Sequence, residues 1–137
     1  MPRIALLDVN ALLALIDEQS AFHLPAHDWF KEAQSYGWAT CSITESGVLR
    51  VATKPAYPNG PLPLLELARR IENAKKSPTY VFCEDALSTA EWVHSTGLMI
   101  PSSKMTDAHL LKLASKHQGT LATFDLGITP QLIGEND

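Results

Sequence analysis

The sequence predicts a three-layer α/β domain, a doubly wound parallel sheet with helices on both faces. Three observations predict it. Short apolar runs without polar alternation, as in strands buried on both faces, alternate with segments of helical periodicity. The chain has 137 residues, enough for one core and too few for two. Its 45% hydrophobic and 19% charged residues are a globular composition. One domain over residues 1–137 follows.

Arg3-Ile4-Ala5-Leu6-Leu7 is a buried strand that Asp8 ends, and Val9 to Ile16 a short helix. Pro25 to about Tyr36 is a second helix, with Trp29, Phe30 and Ala33 at helical spacing and Gly37 as its stop. Trp38 to Cys41 is the next strand, and a helix runs from Ile43 to about Thr53 before Lys54-Pro55. Pro55, Pro58, Pro61 and Pro63, with Asn59-Gly60, mark a loop. Leu64, Leu67, Ala68 and Ile71 form one stripe of a helix over 64–73, and Thr79 to Cys83 is rich in strand formers. Helices follow over about 87–96, stopped by Gly97, and over about 104–117, stopped by Gly119; Thr120 to Thr123 is a further strand, with a short edge strand expected around Gln131-Leu132-Ile133.

In such a sheet, ligands gather outside the carboxyl ends of the strands. Asp8 and Asp125 follow strands. Glu45 shares the apolar stripe of its helix with Val48, Leu49 and Ala52, and Asp107 that of its helix with Leu111 and Ala114. Singly, each acid is explained as a turn, cap or helix-start carboxylate. Together they fall on one edge of the sheet, and four clustered anions require protonation or a cation. An all-oxygen ligand set selects Mg²⁺ or Mn²⁺ over zinc. One or two such ions, about 4 Å apart if paired, hydrolyse phosphodiesters by activating water and stabilising the leaving oxygen. Thr123 and Asn10 lie close enough in sequence to assist, although Asn10 is equally a capping residue.

Leu7-Asp8-Val9-Asn10-Ala11-Leu12-Leu13, Thr44-Glu45-Ser46-Gly47-Val48-Leu49-Arg50-Val51, Thr106-Asp107-Ala108-His109-Leu110-Leu111 and Ala122-Thr123-Phe124-Asp125 resemble, in order, the signature segments of the PIN-domain ribonucleases, and more narrowly of the VapC toxins of VapBC toxin–antitoxin modules. The resemblance spans nearly the whole chain. It implies Asp8, Glu45, Asp107 and Asp125 as the metal-binding acids, with Thr123 as an auxiliary group. It further implies an Mg²⁺- or Mn²⁺-dependent endoribonuclease acting on tRNA or ribosomal RNA, a homodimer, and a VapB-like antitoxin that blocks the site. The residues before Asp107, Pro101-Ser102-Ser103-Lys104-Met105, depart from the usual pattern and point to different substrate contacts from that loop.

Arg50, Lys54 and Lys104 lie near the acids in sequence and are expected to meet RNA phosphates, whereas Arg69, Arg70, Lys75 and Lys76 read as a solvated helix face. Thr44, Thr106 and Ser46 read as caps or surface groups, His109 and His117 as surface or partly buried helix residues, and the three tryptophans as core. His23 and His27 have i, i+4 spacing, but Pro25 between them and the lack of an HExxH frame argue against a metal pair. Two rivals share the fold: an Mg²⁺-dependent phosphatase or phospho-receiver domain, for which the expected acid pair near the N-terminus is missing, and a non-catalytic module binding RNA or protein, against which the four acids argue.

No apolar run approaches the roughly 20 residues of a membrane span, and no secretory leader is recognisable, so a cytosolic protein is expected. Cys41 and Cys83 form no CxxC and are expected as buried free thiols. The formal charge is −4, from 11 basic and 15 acidic residues, which argues against a general nucleic-acid coat. Setting the four site acids aside leaves acidic and basic residues equal in number, so the excess is local and two divalent ions would cancel it.

Overall fold

The computed structural model describes residues 3–58, 60–125 and 128–135. The elements run β1 (Ala5–Leu7), α1 (Val9–Ile16), α2 (His23–Ala33), β2 (Trp38–Thr40), α3 (Ser42–Ala52), α4 (Leu64–Ala74), β3 (Tyr80–Phe82), α5 (Thr89–Thr96), α6 (Met105–Lys116) and β4 (Thr120–Ala122). Among the described residues the strands form one parallel sheet in the order β3-β2-β1-β4. The chain winds from β1 out to β3 and returns to the other side of β1 with β4, so the direction of winding reverses between β1 and β4. That reversal opens the crevice in which such sheets bind ligands.

Alternation along the strands feeds two cores. Leu7 and Trp38 face α1 to α4 and pack with Leu12, Ile16, Phe30, Val48 and Leu67. Leu6 and Ala39, one residue along, face the opposite side with Leu110, Leu113 and Ala114 of α6. Helices therefore cover both faces, as expected. Cys41 and Cys83 are buried free thiols, and burial, with the charges of Cys41 and Asp85, pushes the Cys83 thiol up to about 11. Trp38 and Trp92 are core residues and Trp29 is half-buried.

The ends of the elements lie within a few residues of the expected ones, with one difference of type. Pro130–Ile133 is a 3-10 turn and not an edge strand. Pro130 at its start has no N–H for a ladder, and the turn delivers Ile133 into a cluster with Trp92 and Ala108. The loop around Pro55 to Pro63 is present, although Asn59 lies outside the described residues. No described helix is long and apolar enough to cross a membrane.

Candidate metal centre

Asp8 leaves β1 in an extended conformation and caps α1, its Oδ1 accepting from Ala11 N at 2.7 Å. Its own N–H donates to Ala122 O at 3.0 Å, so the ends of β1 and β4 are locked side by side. Thr123 follows directly. Its hydroxyl donates to the Asp8 carboxylate and accepts from Asp125 N at 3.0 Å, bridging two candidate acids through one oxygen. Asp107 enters from the first turn of α6, which packs against both strands.

These acids feel one another. Burial raises the pKa of Asp8; the hydrogen bonds from Thr123 and Ala11 oppose the shift and the charge of Asp125 adds to it. Burial likewise raises Asp107, reinforced by the charges of Asp8 and Asp125 and countered by Lys104. Lys104 Nζ lies 3.2 Å from Asp125 Oδ2, a monovalent counter-ion at the rim of the cluster. Desolvated, mutually repelling carboxylates are stabilised by a hard cation, and the all-oxygen donor set fits one. Among the described residues no three His, Cys, Asp or Glu side chains are gathered closely enough to enclose an ion unaided. An ion such as Mg²⁺ keeps several waters and needs only one or two carboxylates.

Glu45 is placed differently. It lies in the first turn of α3, and Oε2 accepts from Thr40 Oγ1 at 2.6 Å and from Lys75 Nζ at 3.0 Å. Because the Thr40 hydroxyl gives its proton to Glu45, the Tyr80 hydroxyl, 2.7 Å away, donates to Thr40. The interactions that hold Glu45 thus come from β2, β3 and the end of α4. Asn10 is exposed on α1 and lines a cleft with Asp125. Arg50 is exposed about 7.5 Å along α3 from Glu45, at 1.5 Å per residue, and Lys54 lies past the end of that helix. Of the basic residues expected at the site, Lys104 is brought to the acids.

Several residues here carry no obvious signal in the sequence. Lys75 belongs to no solvated face: it joins Glu45 to Glu72. Arg69 and Arg70 do line an accessible face, where their hydrogen bonds hold Glu66 down to about 2. Thr44 is fully buried and donates to Leu7 O at 2.8 Å, bolting α3 to the last residue of β1. Gly47 allows that approach, since a Cβ there would lie 2.5 Å from Val9 Cγ2. His109 is buried, with Nε2 2.8 Å from Asp85 Oδ2 and Nδ1 accepting from Trp92 Nε1 at 3.2 Å. An indole N–H only donates, so the His109 proton sits on Nε2 and ties α6 to the residues before α5. His23 Nδ1 donates to Ala14 O at 2.8 Å, tying the start of α2 back to α1.

The family model for the PIN domain matches residues 5–129. The chain belongs to the PIN-domain family. Similar proteins include Ribonuclease VapC44 of Mycobacterium tuberculosis, 36% identical over 126 residues that cover 90% of this chain and 87% of that one. Ribonuclease VapC38 of the same organism is 35% identical over 124 residues, covering 90% of this chain and 86% of its own length. Ribonuclease VapC39 is 30% identical over 139 residues, with 90% of each chain covered. In this PIN domain, the matched span contains every acid of the candidate centre.

Proposed function

We propose that this PIN domain is an Mg²⁺- or Mn²⁺-dependent endoribonuclease, the toxin of a toxin–antitoxin pair, acting in the cytosol on structured RNA such as tRNA or ribosomal RNA. The observation that carries this reading is the electrostatic coupling at the β1/β4 crevice, where the charge of Asp125 adds to the raised pKa of Asp8 and the charges of Asp8 and Asp125 add to that of Asp107. The kinship with proteins named Ribonuclease VapC supports it.

Asp8, Asp107 and Asp125 would hold the cation, with Glu45 as a further ligand or as the group that orients the attacking water. When bound, the ion supplies Lewis acidity to the phosphodiester and lowers the pKa of a water. Asp8 is fixed by the Ala11 and Thr123 donors, so its position is set before substrate arrives. Lys104, once an ion replaces it at Asp125, is free to meet a phosphate. A VapB-like antitoxin and a second copy of the chain are the partners this reading expects.

The test is Asp8→Asn, which keeps a capping side chain at the start of α1 and removes the charge. Cleavage of RNA in Mg²⁺ or Mn²⁺ should fall at least about 100-fold with the fold intact. A folded variant that cuts as fast as the parent overturns the proposal.

A further inference from the structure

Beside the acids lies an open aromatic surface. Phe22, in the loop between α1 and α2, stacks on Phe124 with ring centroids 5.0 Å apart and planes 23° from parallel. Phe22 is 53% exposed and Phe124 37% exposed, although each already covers part of the other. Together with Asn10 and Asp125 they line a cleft of about 350 Å³. That is near the lower end of the roughly 300–1,000 Å³ usual for small-ligand sites.

We propose that Phe22 and Phe124 form a stacking platform for one unpaired nucleobase of the RNA, seated next to the phosphodiester that the acids address, with Asn10 at the edge of the base. The proposal rests on the ribonuclease reading and names a subsite within it. Three features favour a base over an apolar protein segment. The near-parallel pair is short, two rings deep, and a flat heterocycle extends such a stack. The cleft is bordered by an amide, which offers both donor and acceptor to a base edge, and by a carboxylate, a poor neighbour for a purely apolar occupant. The cleft also shares Asp125 with the acid cluster, so its occupant is continuous with a group at the metal centre, as a base is with its own phosphate. Because a stacked base must be unpaired, the platform selects loops, bulges or single strands.

The test uses the full chain and short single-stranded RNAs carrying 2-aminopurine at successive positions, with Ca²⁺ in place of the catalytic ion. The parent should quench the fluorescence at one position adjoining the cut. Phe22→Ala should lose that quenching and weaken RNA binding on the order of tenfold, while Mn²⁺ affinity stays unchanged. Phe22→Trp should restore both; Phe22→Leu, equally apolar but without a ring, should not. Phe22→Leu binding as tightly as Phe22→Trp overturns the proposal, as does Phe22→Ala binding RNA like the parent. If Phe22→Ala keeps its RNA affinity and instead loses a co-expressed antitoxin, the surface docks protein and the proposal also falls. A parent that cuts no RNA with Mg²⁺ or Mn²⁺ overturns the ribonuclease reading and the platform with it, whereas a cutting parent with an unaffected Phe22→Ala overturns the platform alone.

Discussion

Lys75 Nζ lies 3.0 Å from Glu45 Oε2, joining the residue that caps α4 to the first turn of α3. Burial acts to lower the Lys75 pKa, but the hydrogen bonds to Glu72 and Glu45 outweigh it, and the ammonium is held above its ordinary range. The aromatic rings of Tyr80 and Phe82, 5.4 and 5.5 Å from Nζ, favour the charged form as well. Lys75 therefore competes with any other cation for Glu45. Lys75→Met should free that carboxylate and tighten Mn²⁺ binding by up to about fivefold, the scale of a partly exposed ion pair. Calorimetric titration of parent and variant measures this; unchanged affinity means that Glu45 plays no part in holding the ion.

Asp8 and Asp107 have raised pKa values, so the folded chain holds their protons more tightly than the unfolded chain does. The resulting stabilisation is present at low pH and lost as pH rises through the folded values. In chelator, stability should fall as pH climbs from about 4. Asp107→Asn should flatten this fall and raise Tm at neutral pH. Divalent ion at 100 times its Kd should stabilise the parent by about 2.7 kcal/mol and the variant much less. Thermal melts across pH, with and without Mn²⁺, provide the check.

Thr123 joins Asp8 to the backbone of Asp125 through one hydroxyl. Thr123→Val keeps the shape and removes both bonds, and it should cost about 10- to 100-fold in metal affinity or cleavage. Thr123→Ser should retain most of both. Equal behaviour of the Val and Ser variants in metal titration would show that the bridge is dispensable.

Gly47 faces Val9 where α1 and α3 pack. Gly47→Ala should destabilise the protein by about 1–3 kcal/mol through overpacking, read by urea unfolding. Val9→Ala in the same chain should recover part of the loss. Additive costs in the double variant would place the strain elsewhere.

Much of the candidate site is legible because the proposed acids occur where local patterns break. Glu45 and Asp107 interrupt apolar helical stripes, and Asp8 and Asp125 follow strands, so their common edge follows from the topology. His109 and Thr44 gave no such signal. A histidine and a threonine are at home on a helix surface, and what makes them structural is Asp85 and Trp92 in one case and the Leu7 carbonyl in the other. The segment 131–133 misleads for a related reason: its apolar residues suit a strand, yet no neighbouring strand is paired with it and Pro130 starts a turn.

By itself the sequence determined the α/β alternation, the burial of both faces of the sheet and the four acids, because hydrophobic period and strand ends are local properties. Tertiary structure decided how those acids are partnered. Asp8 and Asp125 meet because β4 returns beside β1, and Thr123 bridges them there. Lys75 reaches Glu45 across 30 positions of chain because α4 packs against α3 while β3 pairs with β2. A hydrogen bond or ion pair depends on where two distant backbones are held, and no local pattern in the chain encodes that distance.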